Sequence, residues 1–104
     1  MTDFMRFPGG KAKALTFSYD DGPREDLPLV EIFKKYGMHG TFNLNSGLYG
    51  TSGWYLTEQE IKDLYLPAGQ ELACHMLTHP FPTRLTAPRL VYEITEDRRR
   101  LEAL

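Results

Sequence analysis

The sequence is poor in the features that mark several common protein classes. It has one cysteine in 104 residues, so no internal disulfide is available and an oxidising compartment is not required. The formal net charge is -2, which provides no basic surface for nucleic acid. No apolar run reaches the length of a membrane span or of a signal-peptide core. We therefore expect a cytoplasmic protein with neither nucleic-acid nor membrane partners.

The composition, 41% hydrophobic and 25% charged, fits one globular domain over residues 1–104. Strand-like and helix-like segments alternate along this domain. Strands are predicted at 13–20, 40–46 and 71–75, and helices are predicted to begin at Asp26, Thr57 and close to Thr86. This βαβαβα order predicts an α/β fold in which crossover helices connect parallel strands.

The first two predicted helices have recognisable end signals. Pro28 lies in the first turn of the first helix, and Gly37 ends it. Thr57 and Glu60 have the spacing of a capping box at the start of the second helix. His39 is interpreted as a C-terminal cap that the dipole of the first helix favours. The apolar face of the first helix is predicted to consist of Leu29, Ile32, Phe33 and Tyr36.

The last predicted helix combines an apolar stripe with a cluster of charges. The stripe is predicted to contain Leu90, Ile94 and Leu101. The cluster contains three arginines and three acids, namely Arg98, Arg99, Arg100, Glu96, Asp97 and Glu102. Because these charges balance locally, we interpret the cluster as a solvated helix face.

Side chains alternate in character along the three predicted strands. Successive side chains of a strand point to opposite faces of a sheet. In these strands one set of alternate positions is apolar and the other is small or polar, and we call the two sets the apolar parity and the polar parity. We expect the apolar parity to pack against helices, with Cys74 as a small buried hydrophobe. The polar parity is predicted to line a cavity, with its charged residues gathered at the C-terminal ends of the strands. Ligand sites of parallel α/β folds lie at these ends.

Two of these strand ends have the residue types of a catalytic metal site. The stretch TFSYDDGP ends the first strand with Asp20 and Asp21, and ELACHMLTHP ends the third with His75 and His79. A carboxylate and two imidazoles provide three ligands and leave coordination positions open for water. Asp21 is then a metal ligand, and Asp20 is a general base that accepts a proton from water.

Other interpretations of the same residues stay open at this point. Asp-Gly-Pro is a common turn composition, and histidines at this spacing often lie on a surface loop. Two histidines and a carboxylate also bind iron in non-haem oxygenases, although that chemistry leaves the second aspartate unexplained. Trp54 and Tyr55, in a glycine-rich loop, are predicted either to stack on a sugar ring or to pack within the protein.

The two motifs, in this order and separation, resemble the first two motifs of the polysaccharide deacetylase family of metal-dependent carbohydrate esterases. The intervening YGMHGTFNLN resembles the family's second strand, so the similarity covers nearly the whole chain. The resemblance implies a distorted β/α barrel, with Asp20 as the catalytic base and with Asp21, His75 and His79 as metal ligands. It implies zinc, or else cobalt or nickel, as the metal. The implied reaction is hydrolysis of acetyl groups from an N- or O-acetylated polysaccharide or oligosaccharide.

The sequence departs from the family pattern in two respects. Met76 stands where the family usually has a serine or threonine that supports the loop between the histidines, and we expect Thr78 to supply part of this support. Later family motifs, which provide an arginine beside the base and a histidine general acid, do not occur in these residues. We therefore expect the N-terminal half of a deacetylase domain, a partial barrel. The alternative is a truncated, non-catalytic half domain that binds metal and self-associates through its unpaired strand edges as a homo-oligomer.

Overall fold

The computed structural model describes residues 5–104, in which strands and helices alternate. The strands are β1 (Ser18–Asp20), β2 (Thr41–Leu44) and β3 (Glu71–Cys74), and the helices are α1 (Asp26–Tyr36), α2 (Glu58–Leu64) and α3 (Ala87–Glu102). The predicted βαβαβα order is confirmed. Residues 1–4, which fall within the predicted 1–104 domain, lie outside the described residues.

The three strands form one parallel sheet in the order β1-β2-β3. Ser18 of β1 lies opposite Thr41 of β2, and the whole of β3 pairs with β2 on the other side. Because the strands run in the same direction, their C-terminal ends lie at one edge of the sheet. The residues predicted to form the site follow two of these ends.

The first strand is shorter than the prediction over 13–20. Its ladder with β2 starts where the N–H of Thr41 donates to the carbonyl of Phe17 at 2.9 Å. The residues just before Thr41 connect α1 to β2, so in the described structure residues 13–16 have no neighbouring parallel strand with which to pair. Leu15, one of the apolar alternate positions of 13–20 that were predicted to pack against helices, is 79% exposed. Side-chain alternation alone does not extend a strand that has no partner.

The core lies between the apolar face of the sheet and helices α1 and α2, and aromatic rings dominate it. The ring centroids of Phe17 and Phe33 are 5.2 Å apart, and those of Phe42 and Tyr65 are 4.8 Å apart. The buried residues of this cluster are Val30, Phe33, Phe42, Leu44, Leu56, Ile61, Leu64 and Tyr65. The cluster anchors the central strand, whose C-terminal end adjoins the predicted site.

The face that α1 buries differs in part from the predicted one. Phe33 is buried, but Ile32 and Tyr36 are 52% and 65% exposed. Asp26 and Val30 point inward instead, at the i, i+4 and i+7 spacing that they form with Phe33. The helix therefore packs along a stripe that begins with a carboxylate.

Two helix-end predictions are confirmed and a third is wrong. The capping box is present, with the N–H of Glu60 donating to Thr57 Oγ1 at 3.2 Å and the N–H of Thr57 donating to Glu60 Oε2 at 2.9 Å. Gly37, with φ of 63°, ends α1. His39 does not cap that helix, because Gly37 already directs the chain away. Its Nδ1 lies 3.1 Å from the carbonyl oxygen of Gly69.

Helix α3 packs against β3 with an unexpected face. Glu93 and Asp97 are fully buried, whereas Ile94 is 48% exposed. The prediction that Asp97 belongs to a solvated face is therefore wrong, because its carboxylate accepts hydrogen bonds from backbone amides at the sheet end. Cys74 is exposed rather than buried, since in the described structure β3 is an outer strand. None of the described helices is long and apolar enough to cross a membrane.

Candidate metal centre

Asp20 and Asp21 lie where β1 ends and the chain turns towards α1. The N–H of Asp21 donates to the carbonyl of Asn43 at 2.8 Å, which continues the ladder by one residue. Asp21 and Gly22 then have φ values of 76° and 68°, two successive left-handed conformations that make a sharp turn. A Cβ at Gly22 would also lie 3.0 Å from a methyl carbon of Leu44. Gly22 thus provides both the φ and the space that the turn needs.

His75 and His79 are held by the loop that follows β3. The N–H of His75 donates to the carbonyl of Leu44 at 3.0 Å, so this residue still follows the strand direction. Met76 and His79 have left-handed φ values of 69° and 56° and fold the loop back on itself. The two imidazole rings consequently meet edge to face, with centroids 4.9 Å apart.

The structure brings Asp21, His75 and His79 together. Asp21 Oδ1 lies 3.5 Å from His75 Nε2 and 3.3 Å from His79 Nε2. One donor atom from each residue lies within 4.8 Å of the other two. Ligand atoms at about 2.1 Å from Zn²⁺ in tetrahedral geometry are about 3.4 Å apart. The two separations around Asp21 therefore fit a shared divalent cation.

A second observation supports a cation at this position. Asp21 Oδ1 is buried and accepts no hydrogen bond from the described residues. A buried carboxylate oxygen without a partner is costly, and a cation placed between it and the two ring nitrogens would satisfy it. One carboxylate oxygen with two imidazole nitrogens suits zinc, and it also suits other first-row divalent ions. The donor set alone does not distinguish zinc from cobalt or nickel.

Asp20 lies beside this cluster and not within it. Its Oδ2 is 3.9 Å from His75 Nε2, and its side chain is 57% exposed. Its Oδ1 accepts a hydrogen bond from Asn43 Nδ2 at 2.9 Å, and the same amide group lies 2.8 Å from Ser18 Oγ. One carboxylate oxygen is therefore anchored to β2 while the other is free next to the cluster. This geometry suits a proton acceptor better than a ligand.

The sequence predicted Thr78 as a support of the histidine loop, but it did not identify Glu93, the residue to which Thr78 bonds. Thr78 donates to the buried Glu93 through its N–H and through its hydroxyl, both at 2.8 Å, so Thr78 does support the loop. Burial by itself would raise the pKa of Glu93. The hydrogen bonds from Thr78 and Arg89 outweigh that effect and hold the pKa below its usual value. Glu93 therefore acts as a carboxylate acceptor for the loop.

Trp54 and Tyr55 lie next to the turn that carries Asp21. The N–H of Arg24 donates to the carbonyl of Trp54 at 2.9 Å, and Pro23 forms an isolated bridge with Tyr55. The two rings pack edge to face with centroids 4.7 Å apart, and Trp54 is 45% exposed. The packing role is thus present, and the Trp54 side chain keeps an exposed surface.

Comparison with known proteins places this site in a family context. The sequence model of the Polysaccharide deacetylase family matches residues 6–104, whereas a search of curated proteins found no match. The Streptococcus pyogenes deacetylase PplD in complex with acetate is similar in structure, with a TM-score of 0.83 and 22% identity over 94% of this chain and 43% of that chain. The peptidoglycan deacetylase PdaC from Bacillus subtilis gives a TM-score of 0.67 and 23% identity over 85% of this chain and 42% of that chain.

These similarities establish the fold over part of the deacetylase structures. This chain spans less than half of their length. The three parallel strands with their crossover helices correspond to part of the deacetylase barrel, which confirms the predicted α/β fold.

Proposed function

The chain belongs to the polysaccharide deacetylase family, and on this basis we propose that its site hydrolyses acetyl groups from an N- or O-acetylated polysaccharide or oligosaccharide. The proposed metal is zinc, with cobalt or nickel as alternatives. The observation that carries the proposal is the buried Asp21 Oδ1, which faces the two imidazoles and has no hydrogen-bond partner among residues 5–104. The proposed substrate follows from the family.

Each site residue has a distinct task in this reaction. Asp21, His75 and His79 hold the divalent ion, which when bound supplies the Lewis acidity that polarises a carbonyl and lowers the pKa of water. Asp20 accepts the proton of the attacking water through Oδ2, the oxygen that its bond to Asn43 leaves free. Asn43 fixes the direction of that oxygen.

The leaving nitrogen or oxygen also needs a proton, and we assign this step to no described residue. His39, the remaining histidine of the three in the sequence, contacts the carbonyl of Gly69 just before β3. It therefore lies at the opposite end of the sheet from the site. His39 is accordingly a useful control, since its substitution should not affect metal binding.

Metal stoichiometry is the first test. Elemental analysis of the purified, gel-filtered chain should find about one divalent ion per chain, as three ligands of one site require. Asp21→Ala and His79→Ala should each lose the ion, and His39→Ala should keep it. A chain that binds no ion after incubation with Zn²⁺ and Co²⁺ would contradict the proposal.

An assay of acetate release distinguishes the role of Asp20 as the base from the roles of the three metal ligands. Preparations that release acetate from acetylated chitooligosaccharide or acetylated xylan should stop doing so after chelation. Asp20→Asn should abolish release and still bind the metal, because Asp20 lies outside the ligand cluster. Acetate release that survives in Asp20→Asn would refute this assignment of the base.

The alternative proposal, a non-catalytic metal-binding half domain that self-associates, rests on a groove beside β3. In the part of the chain described here, β3 pairs on one side only. An open, mainly apolar groove of about 410 Å³ lies next to it, and its lining includes Phe81 and Ile94, which are 68% and 48% exposed, as well as both site histidines. An unpaired edge next to apolar side chains favours pairing with a second copy.

Sedimentation velocity over a range of concentrations tests this alternative. Self-association should increase with concentration and decrease in Ile94→Lys, which places a charge in the groove. Val91→Lys, on the same helix at a similarly exposed position outside the groove lining, is the matched control. An active preparation that stays monomeric at every concentration would exclude the alternative.

A further inference from the structure

Helix α3 places two fully buried carboxylates against the loop that holds both histidines. Glu93 and Asp97 have no exposed surface, while Glu96 on the same helix is paired with Arg99 near the surface. Within the described residues Asp97 forms no ion pair. A buried carboxylate without a cation is retained only where hydrogen bonds compensate for its lost hydration.

Asp97 receives those hydrogen bonds from two strand ends. Its Oδ1 accepts the N–H of Ser46 at 2.8 Å. Its Oδ2 accepts the N–H of His75 at 3.0 Å, and His75 shares this hydrogen with the carbonyl of Leu44, also at 3.0 Å. Ser46 follows β2, and His75 follows β3. The carboxylate thus joins the two strand ends and directly contacts the backbone of one predicted ligand.

Glu93 holds the other part of the loop. Its Oε2 accepts the N–H of Thr78 and its Oε1 accepts the hydroxyl of Thr78, next to His79. Its main-chain carbonyl accepts the N–H of Leu77 at 3.1 Å. The loop backbone is left-handed at Met76 and at His79, a conformation that such residues adopt only when the surroundings impose it. Glu93 supplies part of that constraint.

We propose that Asp97 and Glu93 are positioning residues that set the placement of His75 and His79 for metal binding. This inference rests on the proposed function. Neither carboxylate touches the donor atoms of the cluster, and each acts through the backbone that carries a ligand. Residues that orient metal ligands typically change metal affinity about 10-fold to 100-fold when they are replaced.

Titration with Co²⁺ tests the inference, with visible absorption reporting ligand geometry and the isotherm giving Kd. Asp97→Asn keeps the shape of the side chain but places an amide donor against one of two backbone N–H groups. Glu93→Ala removes both bonds to Thr78. We expect each to weaken Co²⁺ binding about 10-fold to 100-fold and to change the absorption spectrum.

Two further variants separate hydrogen bonding from charge. Glu93→Gln should recover part of the affinity, because its amide oxygen accepts the Thr78 N–H and its amide nitrogen donates to the Thr78 hydroxyl, whereas the ion pair with Arg89 is lost. Glu96→Gln, the matched charge change on the outer side of α3, should match the wild type. Far-UV circular dichroism of each apo-protein confirms folding. If Asp97→Asn does not fold, Thr78→Val removes one loop bond and should weaken binding in the same direction.

The outcomes distinguish this inference from the proposed function. A wild-type chain that binds no Co²⁺ would refute the proposed function and, with it, the positioning role of Asp97 and Glu93. If the wild type binds Co²⁺ while Asp97→Asn and Glu93→Ala keep its Kd and spectrum, only the inference is overturned. Lower thermal stability with unchanged Kd and spectrum, measured well below the melting temperature, would likewise reduce the two residues to a structural role.

Discussion

Replacing Asp26 with asparagine should make the stability of the folded protein less dependent on pH. Asp26 is the first residue of α1, is only 4% exposed, and accepts a hydrogen bond from the hydroxyl of Tyr65 at 2.5 Å. Burial raises the pKa of Asp26 from 3.8 to about 6, although the Tyr65 bond opposes the shift. Nearby Glu25 raises this pKa further.

The sign and size of the effect follow from this pKa. The folded state binds the Asp26 proton more tightly than the unfolded state does, so protonation stabilises the fold. That contribution is complete below pH 3.8 and is lost as the pH rises through about 6. A rise of the pKa from 3.8 to about 6 corresponds to about 3 kcal/mol in total. About 2 kcal/mol of this is lost between about pH 4.5 and about pH 7.5.

Urea unfolding of the wild type and of Asp26→Asn at these two pH values measures the effect. The asparagine keeps an oxygen for Tyr65 and carries no charge, so its stability relative to the wild type should rise by about 2 kcal/mol towards the higher pH. Glu60 and Glu96, whose pKa values are lowered to about 2, titrate identically in both proteins and cancel. A stability difference that is the same at both pH values would refute the reasoning.

Three further predictions concern residues that support the fold around the site or orient Asp20. Gly47→Ala should lower the free energy of unfolding in urea by at least about 1 kcal/mol, because its Cβ would lie 2.6 Å from a backbone carbonyl oxygen. Gly53→Ala, whose Cβ would have no atom within 4 Å, should change that free energy by less than about 0.5 kcal/mol. Thr57→Ala should lower the unfolding free energy by about 1 kcal/mol by removing the capping box, and an unchanged midpoint would contradict this. Asn43→Ala should lower kcat for acetate release by at least about tenfold without weakening metal binding, because Asp20 loses the hydrogen bond that orients it. If kcat and metal affinity fall equally, Asn43 supports the metal site rather than the base.

The grouping of Asp21, His75 and His79 was predictable because it depends on local features. Strand order places two C-terminal ends at one sheet edge, and the positions of the residues within two short motifs then bring the side chains together. The turn at Asp21 is also local, since Gly22 supplies the left-handed conformation. Their role as metal ligands stays a prediction until binding is measured.

The support from α3 was not predicted because it depends on contacts between distant parts of the chain. Asp97 bonds to Ser46, which lies 51 positions earlier in the sequence. Its neighbours include three arginines, and that pattern is typical of a solvated face. A signal was nevertheless present, because Asp97 lies four residues before Leu101 and seven after Leu90, on the predicted apolar stripe. An acid on such a stripe indicates a buried polar partner.

Hydrogen bonds within the chain hold the turn at Asp21 and the loop between the histidines in their conformations. Asp21, Met76 and His79 all have left-handed backbones, which cost roughly 1–2 kcal/mol for an unsuited residue and less for aspartate and histidine. The N–H of Asp21 bonds to Asn43, and Asn45 Nδ2 bonds to the carbonyl of Met76 at 2.9 Å. Each such bond contributes about 1 kcal/mol net, so the fold offsets much of the conformational cost. Contacts within the chain therefore maintain the left-handed turn and loop.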